Sequence, residues 1–139
     1  MIVVQRVHEA ESAHRRQDEL NAACQARAQA QLINGCGIEV AGLDLAGQSA
    51  QYRGTYRAVD ERDGWPVLQN EHGMWLFRPS AASGLSHRWF IWREHTPAVD
   101  QCYSYIDAPD GSFPVGEQTW KVWERDGFVD RPLTMRVVV

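Results

Sequence analysis

The sequence predicts an α+β chain that is mainly β, with one long N-terminal helix followed by a small antiparallel β-meander, a curled sheet or a barrel. Two observations support this fold class. All fourteen aromatic residues lie between Tyr52 and Phe128, whereas the first 33 residues contain no aromatic, glycine or proline. Pairs of aspartate or histidine with glycine also recur between short runs of aromatic and β-branched residues, as is typical of β-hairpins. The predicted divisions are a helical arm over 1–35, a glycine-punctuated linker over 36–51 and a tryptophan-rich β domain over 52–139.

The arm from about Gln5 to Ile33 is rich in Ala, Gln, Glu and Arg, which are strong helix formers. Asn34 and Gly35 are expected to end this helix because both tolerate the left-handed conformation. Its mildly apolar positions recur at steps of three and four residues and therefore share one helix face. The candidate contact face consists of Val7, Ala10, Leu20, Cys24, Ala28 and Leu32. We expect it to pack on the protein's own body or on a partner chain; alternatively, the first residues, 2–4, form a short strand.

The segment 36–51 is predicted to be a linker or a loop draped over the body. Its glycines, Gly37, Gly42 and Gly47, are spaced by five residues and punctuate it without a clear period. A phosphate-binding loop would need a Gly-Lys-Ser/Thr sequence before a helix, and this segment contains no lysine. Phosphate binding here is therefore not expected.

The body from Tyr52 onward predicts an antiparallel sheet, because its strands are short and its turn signals are regular. Pro66 indicates that the second strand is an edge strand or begins irregularly, since proline cannot donate to the ladder. The turn signals are Asp63-Gly64, His72-Gly73, Asp110-Gly111 and Asp126-Gly127. The predicted strands are 52–59, 65–69, 75–78, 89–92, 102–106, 119–124 and 133–139.

Two tryptophan-rich strands carry the candidate binding surface. In the run from Trp89 to Trp92 both faces are bulky and apolar, so something must cover the second face. The candidates for this cover are the N-terminal helix, the glycine-punctuated segment and a second protein. In the run from Trp120 to Trp123, alternation places Lys121 and Trp123 on the outer face. Core packing alone predicts that about four of the tryptophans are buried.

The body contains a series of ordered motifs: Gly54-Thr55-Tyr56, Gly64-Trp65-Pro66-Val67, Trp75, Trp89 and Thr119-Trp120-Lys121-Val122-Trp123. In this order they resemble a short tryptophan-rich β module repeated in algal and other protist proteins. The resemblance covers about residues 40–138, and this chain departs from the pattern at Leu68, where the family usually has tyrosine. The resemblance implies a scaffold or binding module without an assigned activity.

Composition and charge exclude several function classes. The net charge of −4 and the absence of a basic run disfavour nucleic-acid binding. The apolar run after Met1 is too short for a signal peptide or a membrane span, so membrane insertion is not expected. The three widely spaced cysteines, Cys24, Cys36 and Cys102, indicate a reducing compartment, either the cytoplasm or an organelle interior, and not secretion.

No catalytic or metal-binding constellation stands out in the sequence. His95, Asp100 and Cys102 could supply a base, an orienting acid and a thiol, but nothing indicates the lowered thiol pKa that a nucleophile needs. His8 and His14 are six residues apart, which does not place two ligands on one helix face. We therefore expect no enzyme activity, no cofactor and no metal.

The sequence leaves two functions open. The first is a non-enzymatic protein-interaction or scaffold module, an accessory subunit that docks into a larger assembly such as an organellar complex. The second is a carbohydrate-binding module, which needs at least two coplanar exposed aromatic rings. The candidate binding surface consists of Phe90, Trp92, Lys121, Trp123, Trp65 and Trp75.

Overall fold

The computed structural model describes residues 19–42, 47–95, 101–124 and 126–139. The structure is mainly β. Eight antiparallel strands follow one another around a closed barrel, which confirms the barrel option of the predicted fold class. They are β1 (Gly37–Ala41), β2 (Gly54–Arg62), β3 (Trp65–Gln69), β4 (Trp75–Phe77), β5 (Arg88–Trp92), β6 (Ser104–Asp107), β7 (Gly116–Glu124) and β8 (Gly127–Val138).

The N-terminal helix, α1, is shorter than predicted. Its described residues are 19–31. At 1.5 Å per residue they span about 20 Å, compared with the roughly 40 Å expected for the whole arm. The stop signal is confirmed, because Asn34 and Gly35 have φ of 65° and 75° in a short 3-10 turn after the helix. Helices in proteins depend on packing more than on propensity, and α1 meets the barrel through its C-terminal half.

The segment predicted as a linker contains the strand that closes the barrel. β1 pairs with β2 through Ile38 and Tyr56, and with β8 through Gly37 and Val138. Residues 37–41 therefore belong to the same sheet as the tryptophan-rich body. Closure also removes the free edge that Pro66 was predicted to occupy; Pro66 instead lies opposite Glu61, one pair from the β2–β3 turn.

The hairpin turns position the strands as the sequence predicts. Between β2 and β3, Asp63 and Gly64 have φ of 53° and 86°, the two positive values of a type I′ turn. Between β7 and β8, Glu124 pairs with Gly127 across a two-residue loop. The Asp110-Gly111 turn differs, because it lies in the longer β6–β7 connection and contacts α1 instead of joining a tight hairpin.

Large side chains fill the barrel interior. Trp89 from β5 and Trp120 from β7 are completely buried there with Tyr56 from β2. Trp89 stacks on Phe113 with ring centroids 4.2 Å apart and meets Trp65 edge-on at 6.0 Å. Only two of the six tryptophans are fully buried, not about four, since three are partly exposed and one is exposed.

Helix α1 covers one end of the barrel. Ala28 is completely buried in the barrel core. The Gln31 side chain forms two hydrogen bonds with the backbone of Phe113: its Oε1 accepts from the N–H at 2.7 Å, and its Nε2 donates to the carbonyl at 3.1 Å. Gln25 Nε2 donates to the Asp63 carbonyl in the β2–β3 turn at 2.8 Å. The helix is thus tied to two separate loops of its own body.

The opposite end is organised by the buried side chain of Asn70. Its Nδ2 donates to the carbonyls of Gln51 and Arg53 at 2.7 and 3.0 Å, and its Oδ1 accepts from the N–H groups of His72 and Met74 at 3.0 and 2.9 Å. These four bonds attach the 3-10 turn Gly47–Tyr52 to the β3–β4 connection. Both ends of the barrel are consequently covered by the chain itself.

The prediction that both faces of β5 are covered is confirmed. Trp89 and Ile91 face the interior, and Phe90, only 1% exposed, is buried on the outer face. The cover is intramolecular, but it is neither of the two predicted segments. Leu85, from the β4–β5 connection, and Cys102, which precedes β6, pack in the cluster around Phe90. Helix α1 covers the barrel end instead, because its apolar positions are small and fit a shallow contact.

Candidate functional site

A stripe of aromatic rings runs across the outer face of the barrel from β4 to β8. Successive ring centroids are 5.9 Å apart for Phe77 and Phe90, and 6.4 Å for Phe90 and Tyr105. The stripe continues from Tyr105 to Phe128 at 5.0 Å and from Phe128 to Trp123 at 5.2 Å. Three of these pairs meet edge-to-face, an arrangement that aromatic rings prefer, and the Phe90–Tyr105 pair is tilted at 54°. The stripe is therefore a continuous row of ring contacts that leads from buried rings to rings at the surface.

A groove of about 390 Å³ opens along this stripe. This volume lies at the lower end of the range for ligand pockets in proteins. We call it the aromatic groove; it is lined by Leu85, Arg88, Phe90, Trp92, Gln101, Cys102, Tyr105, Trp123 and Phe128. Its walls come from four consecutive strands, β5 to β8, and from the connections before β5 and β6.

Exposure increases along the aromatic stripe. Phe77 and Phe90 are buried, Trp92 and Tyr105 are half-buried, and Trp123 and Phe128 are 46% and 39% exposed. The two outer rings are cross-strand partners in the β7–β8 hairpin, and the described part of the chain leaves them partly exposed. Aromatic side chains that stay in water beside a concave apolar surface are typical of interaction sites.

Two arginine side chains lie against aromatic rings at the groove. Arg88 Nε donates to Asp107 Oδ1 at 2.9 Å, and the guanidinium lies 4.3 Å from the Tyr105 ring centroid. Arg93 lies over the Trp92 ring at 4.9 Å. These contacts hold the aromatic rings in place from outside and leave the groove mainly apolar. The arrangement suits an uncharged, apolar group more than an ion.

The cysteine in the groove is a protonated thiol at neutral pH. Cys102 is 8% exposed, and burial raises its pKa to about 12, with Arg88 acting weakly in the opposite direction. Reactive cysteines have lowered pKa values and so differ from this one.

His95 packs on Trp75 with ring centroids 3.9 Å apart, and its Nδ1 lies 2.7 Å from Arg62 Nη2. Burial and the nearby Arg62 charge lower the His95 pKa.

The structure brings together three of the six predicted surface residues. Phe90, Trp92 and Trp123 line the aromatic groove. Lys121 lies nearby on β7 but forms an ion pair with Asp130 on β8. Trp75 packs at the edge of the same outer cluster, opposite Trp92 on β5, and does not line the groove. Trp65 packs against the barrel core near the end that α1 covers and lies beneath the Arg78 guanidinium.

The predicted helix contact face is divided. Ala28 is buried, and Cys24 and Leu32 are half-buried against the protein's own barrel. Leu20 is 60% exposed and is not covered by the described residues. The remaining two predicted positions, Val7 and Ala10, lie outside the described residues, as do His8 and His14 and the alternative strand 2–4.

Sequence reasoning missed the groove residues Leu85, Tyr105 and Phe128. A signal for Phe128 was available, because a two-residue loop at 125–126 places it directly opposite Trp123. No comparable signal marks Leu85, which lies in a loop and reaches the groove only through the path of the chain.

Neither a metal-ligand cluster nor a membrane-spanning helix is found among the described residues. No cluster of histidine, cysteine and carboxylate side chains within ranges 19–42, 47–95, 101–124 and 126–139 could hold a metal ion. In the same part of the chain, the helix falls short of the length and apolar character needed to span a bilayer.

Comparison with known proteins gave no matching family model, no matching curated protein and no matching solved structure. The resemblance to the tryptophan-rich module therefore stays a prediction.

Proposed function

We propose that this protein is a non-enzymatic protein-interaction module, an accessory subunit that docks into a larger assembly. The docking site is the aromatic groove, and its occupant is an apolar side chain, aromatic or leucine, on an extended or helical segment of a partner protein. The observation that carries the proposal is the continuous stripe from buried Phe77 to exposed Trp123 and Phe128 beside a groove of about 390 Å³.

The energetics favour a protein partner at this groove. At 46% and 39% exposure, Trp123 and Phe128 leave about 200 Å² of aromatic surface in water. Removing that area from water stabilises a complex by about 5 kcal/mol before the entropy of association is subtracted. Tryptophan, tyrosine and arginine are also the residues that dominate binding energy at interfaces, and Trp123, Tyr105 and Arg88 stand together here.

A partner is favoured over a sugar by the ring geometry. A sugar-binding platform needs coplanar exposed rings, whereas the planes of Trp123 and Phe128 are 76° apart. The other predicted stacking residues already have ring contacts, since Arg78 lies over Trp65 and His95 packs on Trp75. The carbohydrate hypothesis thus lacks a supporting observation among the described residues.

Helix α1 is the second proposed contact. Its C-terminal half is occupied by the barrel, so any contact with another chain involves the face around Leu20, which is 60% exposed. A contact around Leu20 would add a second interface at the end of the barrel that α1 covers. The proposed function rests on the aromatic groove and does not require this second contact.

Selection from a displayed library of random peptides tests the groove directly, because such a library presents many different apolar segments to it. We expect enriched peptides to share one or two large apolar residues. Binding of a labelled peptide, measured by fluorescence anisotropy, should weaken about ten-fold or more in Trp123→Ala and in Phe128→Ala, since truncating a central aromatic typically costs more than 1 kcal/mol.

Val59→Ser is the matched control, because Val59 is 57% exposed and apolar but lies on β2 outside the groove. This variant should bind the peptide as tightly as the unmodified protein does. Peptides that bind equally well to all variants, or a library that yields no binder, would contradict the proposed function.

A further inference from the structure

Arg78, directly after β4, is a buried cation that forms no ion pair with the described residues. It is 4% exposed. Its Nε donates to the Ser86 carbonyl at 2.9 Å, and its Nη1 donates to the Ala108 carbonyl at 3.0 Å. Both acceptors are neutral, and no carboxylate in the described part of the chain forms an ion pair with it. Buried charges in proteins are normally paired, so this guanidinium has donors and charge to offer a ligand.

Two indole rings hold the guanidinium in place. It lies 4.1 Å from the Trp65 ring centroid and 5.2 Å from the Trp89 centroid. Cation–π contacts stabilise the charge without neutralising it. Burial lowers the Arg78 pKa to about 10, and the weaker effects of Cys24 and Asp110 raise it. The side chain is therefore still positive at neutral pH, and it is rigidly oriented.

Arg78 lines a pocket of about 300 Å³ at the barrel end that α1 covers. The other charged groups of its wall are Arg62 and Asp63, and Trp65 supplies an aromatic surface. Arg62 Nη2 contacts His95, but its buried Nη1 has no hydrogen-bond partner among the described residues. Two cations and one carboxylate give this wall a net charge of about +1 when His87, which also lines it, is neutral. We call this site the arginine pocket.

We propose that the arginine pocket binds the carboxylate group of a small organic monoanion, with Arg78 as the primary donor and Arg62 as the second. The oxyanion pairs with guanidinium N–H groups, the favoured geometry for arginine and a carboxylate. Trp65 contacts the apolar part of the ligand. Asp63 disfavours a dianion such as phosphate, because a second negative charge on the ligand would face its carboxylate.

The arginine pocket is separate from the aromatic groove and does not depend on the proposed function. The two sites share no lining residue. The alternative role for Arg78 is purely structural, as a clamp between the segments that contain Ser86 and Ala108. A clamp needs no occupant in the pocket, so ligand binding distinguishes the two roles.

The test titrates the full chain with sodium acetate, sodium benzoate and inorganic phosphate against sodium chloride at constant ionic strength. The readout is tryptophan fluorescence, since Trp65 and Trp89 flank the guanidinium. We expect a saturable change with a carboxylate and none with chloride. A phosphate response stronger than every carboxylate response would overturn the assignment, as would the absence of any saturable response.

Substitution of Arg78 itself could unfold the protein, so the matched pair Ala81→Glu and Ala81→Gln is used. Ala81 is exposed and lines the pocket three residues after Arg78. The glutamate supplies an internal carboxylate to the guanidinium and should weaken ligand binding about ten-fold or more, whereas the isosteric glutamine should not. Equal binding by the two variants would refute the proposal, while Trp123→Ala should leave carboxylate binding unchanged.

Discussion

Replacing Gly111 by alanine tests how α1 is seated on the barrel. A Cβ at this position would lie 2.6 Å from both the Cβ and the carbonyl oxygen of Cys24 in α1. Ordinary contacts between carbon atoms are about 3.5 to 4.0 Å, so the helix must move by about 1 Å. Such a shift disturbs the hydrogen bond from Arg27 Nη1 to the Asp110 carbonyl, which is now 3.0 Å long.

The magnitude of the effect follows from two contributions. Gly111 has φ of +82°, and alanine in this left-handed region costs about 1 kcal/mol. Overpacking against the helix adds about 2 kcal/mol. The free energy of unfolding should therefore fall by about 3 kcal/mol, which lowers Tm by about 12 °C in a chain of this size. Thermal unfolding followed by circular dichroism measures it.

Gly84→Ala is the control, because Gly84 has nearly the same φ, +75°, but a Cβ there would meet nothing within 4 Å. It should lose only the backbone contribution, about 1 kcal/mol. Hydrogen exchange of residues 19–31 should accelerate in Gly111→Ala and not in Gly84→Ala, because only the first displaces α1. Equal destabilisation by the two substitutions would refute the seating of the helix on this turn.

Three further predictions concern other parts of the molecule. Asn70→Ala should lower the urea midpoint by an amount equivalent to about 3 kcal/mol, since it leaves four backbone groups without their partner. Asn70→Asp should be no less destabilising, because a carboxylate oxygen in place of Nδ2 would face the carbonyl oxygens of Gln51 and Arg53. Because burial raises the pKa of the Cys102 thiol from 9.0 to about 12, its contribution to stability is fully present below pH 9.0 and is lost as pH rises toward about 12. Cys102→Val should therefore flatten the fall in the free energy of unfolding over this pH range. Glycan titration should leave tryptophan fluorescence unchanged, and a saturable shift lost in Trp123→Ala would restore the sugar hypothesis.

The local parts of the fold could be predicted from the sequence because turn chemistry encodes them. Asp63-Gly64 marks the β2–β3 hairpin, and Asn34-Gly35 marks the end of α1. Barrel closure could not be predicted in this way. It depends on the pairing of Gly37 with Val138, which are far apart in sequence, and β1 is a short strand among glycines that carries little β signal of its own.

Part of the candidate site could also be predicted from the sequence. Alternation along the strands placed Phe90 and Trp123 on the outer face, where the groove lies. The surface remained incomplete because its other walls are brought in by tertiary structure: Leu85 from a loop and Tyr105 from the neighbouring strand. Arg78 was missed because a charged residue after a strand is normally solvent-exposed, and only the loops around it bury this one.

The most direct test of the account is to map a selected peptide onto the protein by NMR. With aromatic and methyl groups labelled, the account predicts that the largest chemical-shift changes on titration fall on Tyr105, Trp123 and Phe128, with no change at Val59. Saturable changes centred on Val59 or on the β2–β3 hairpin, with the groove rings unaffected, would contradict it.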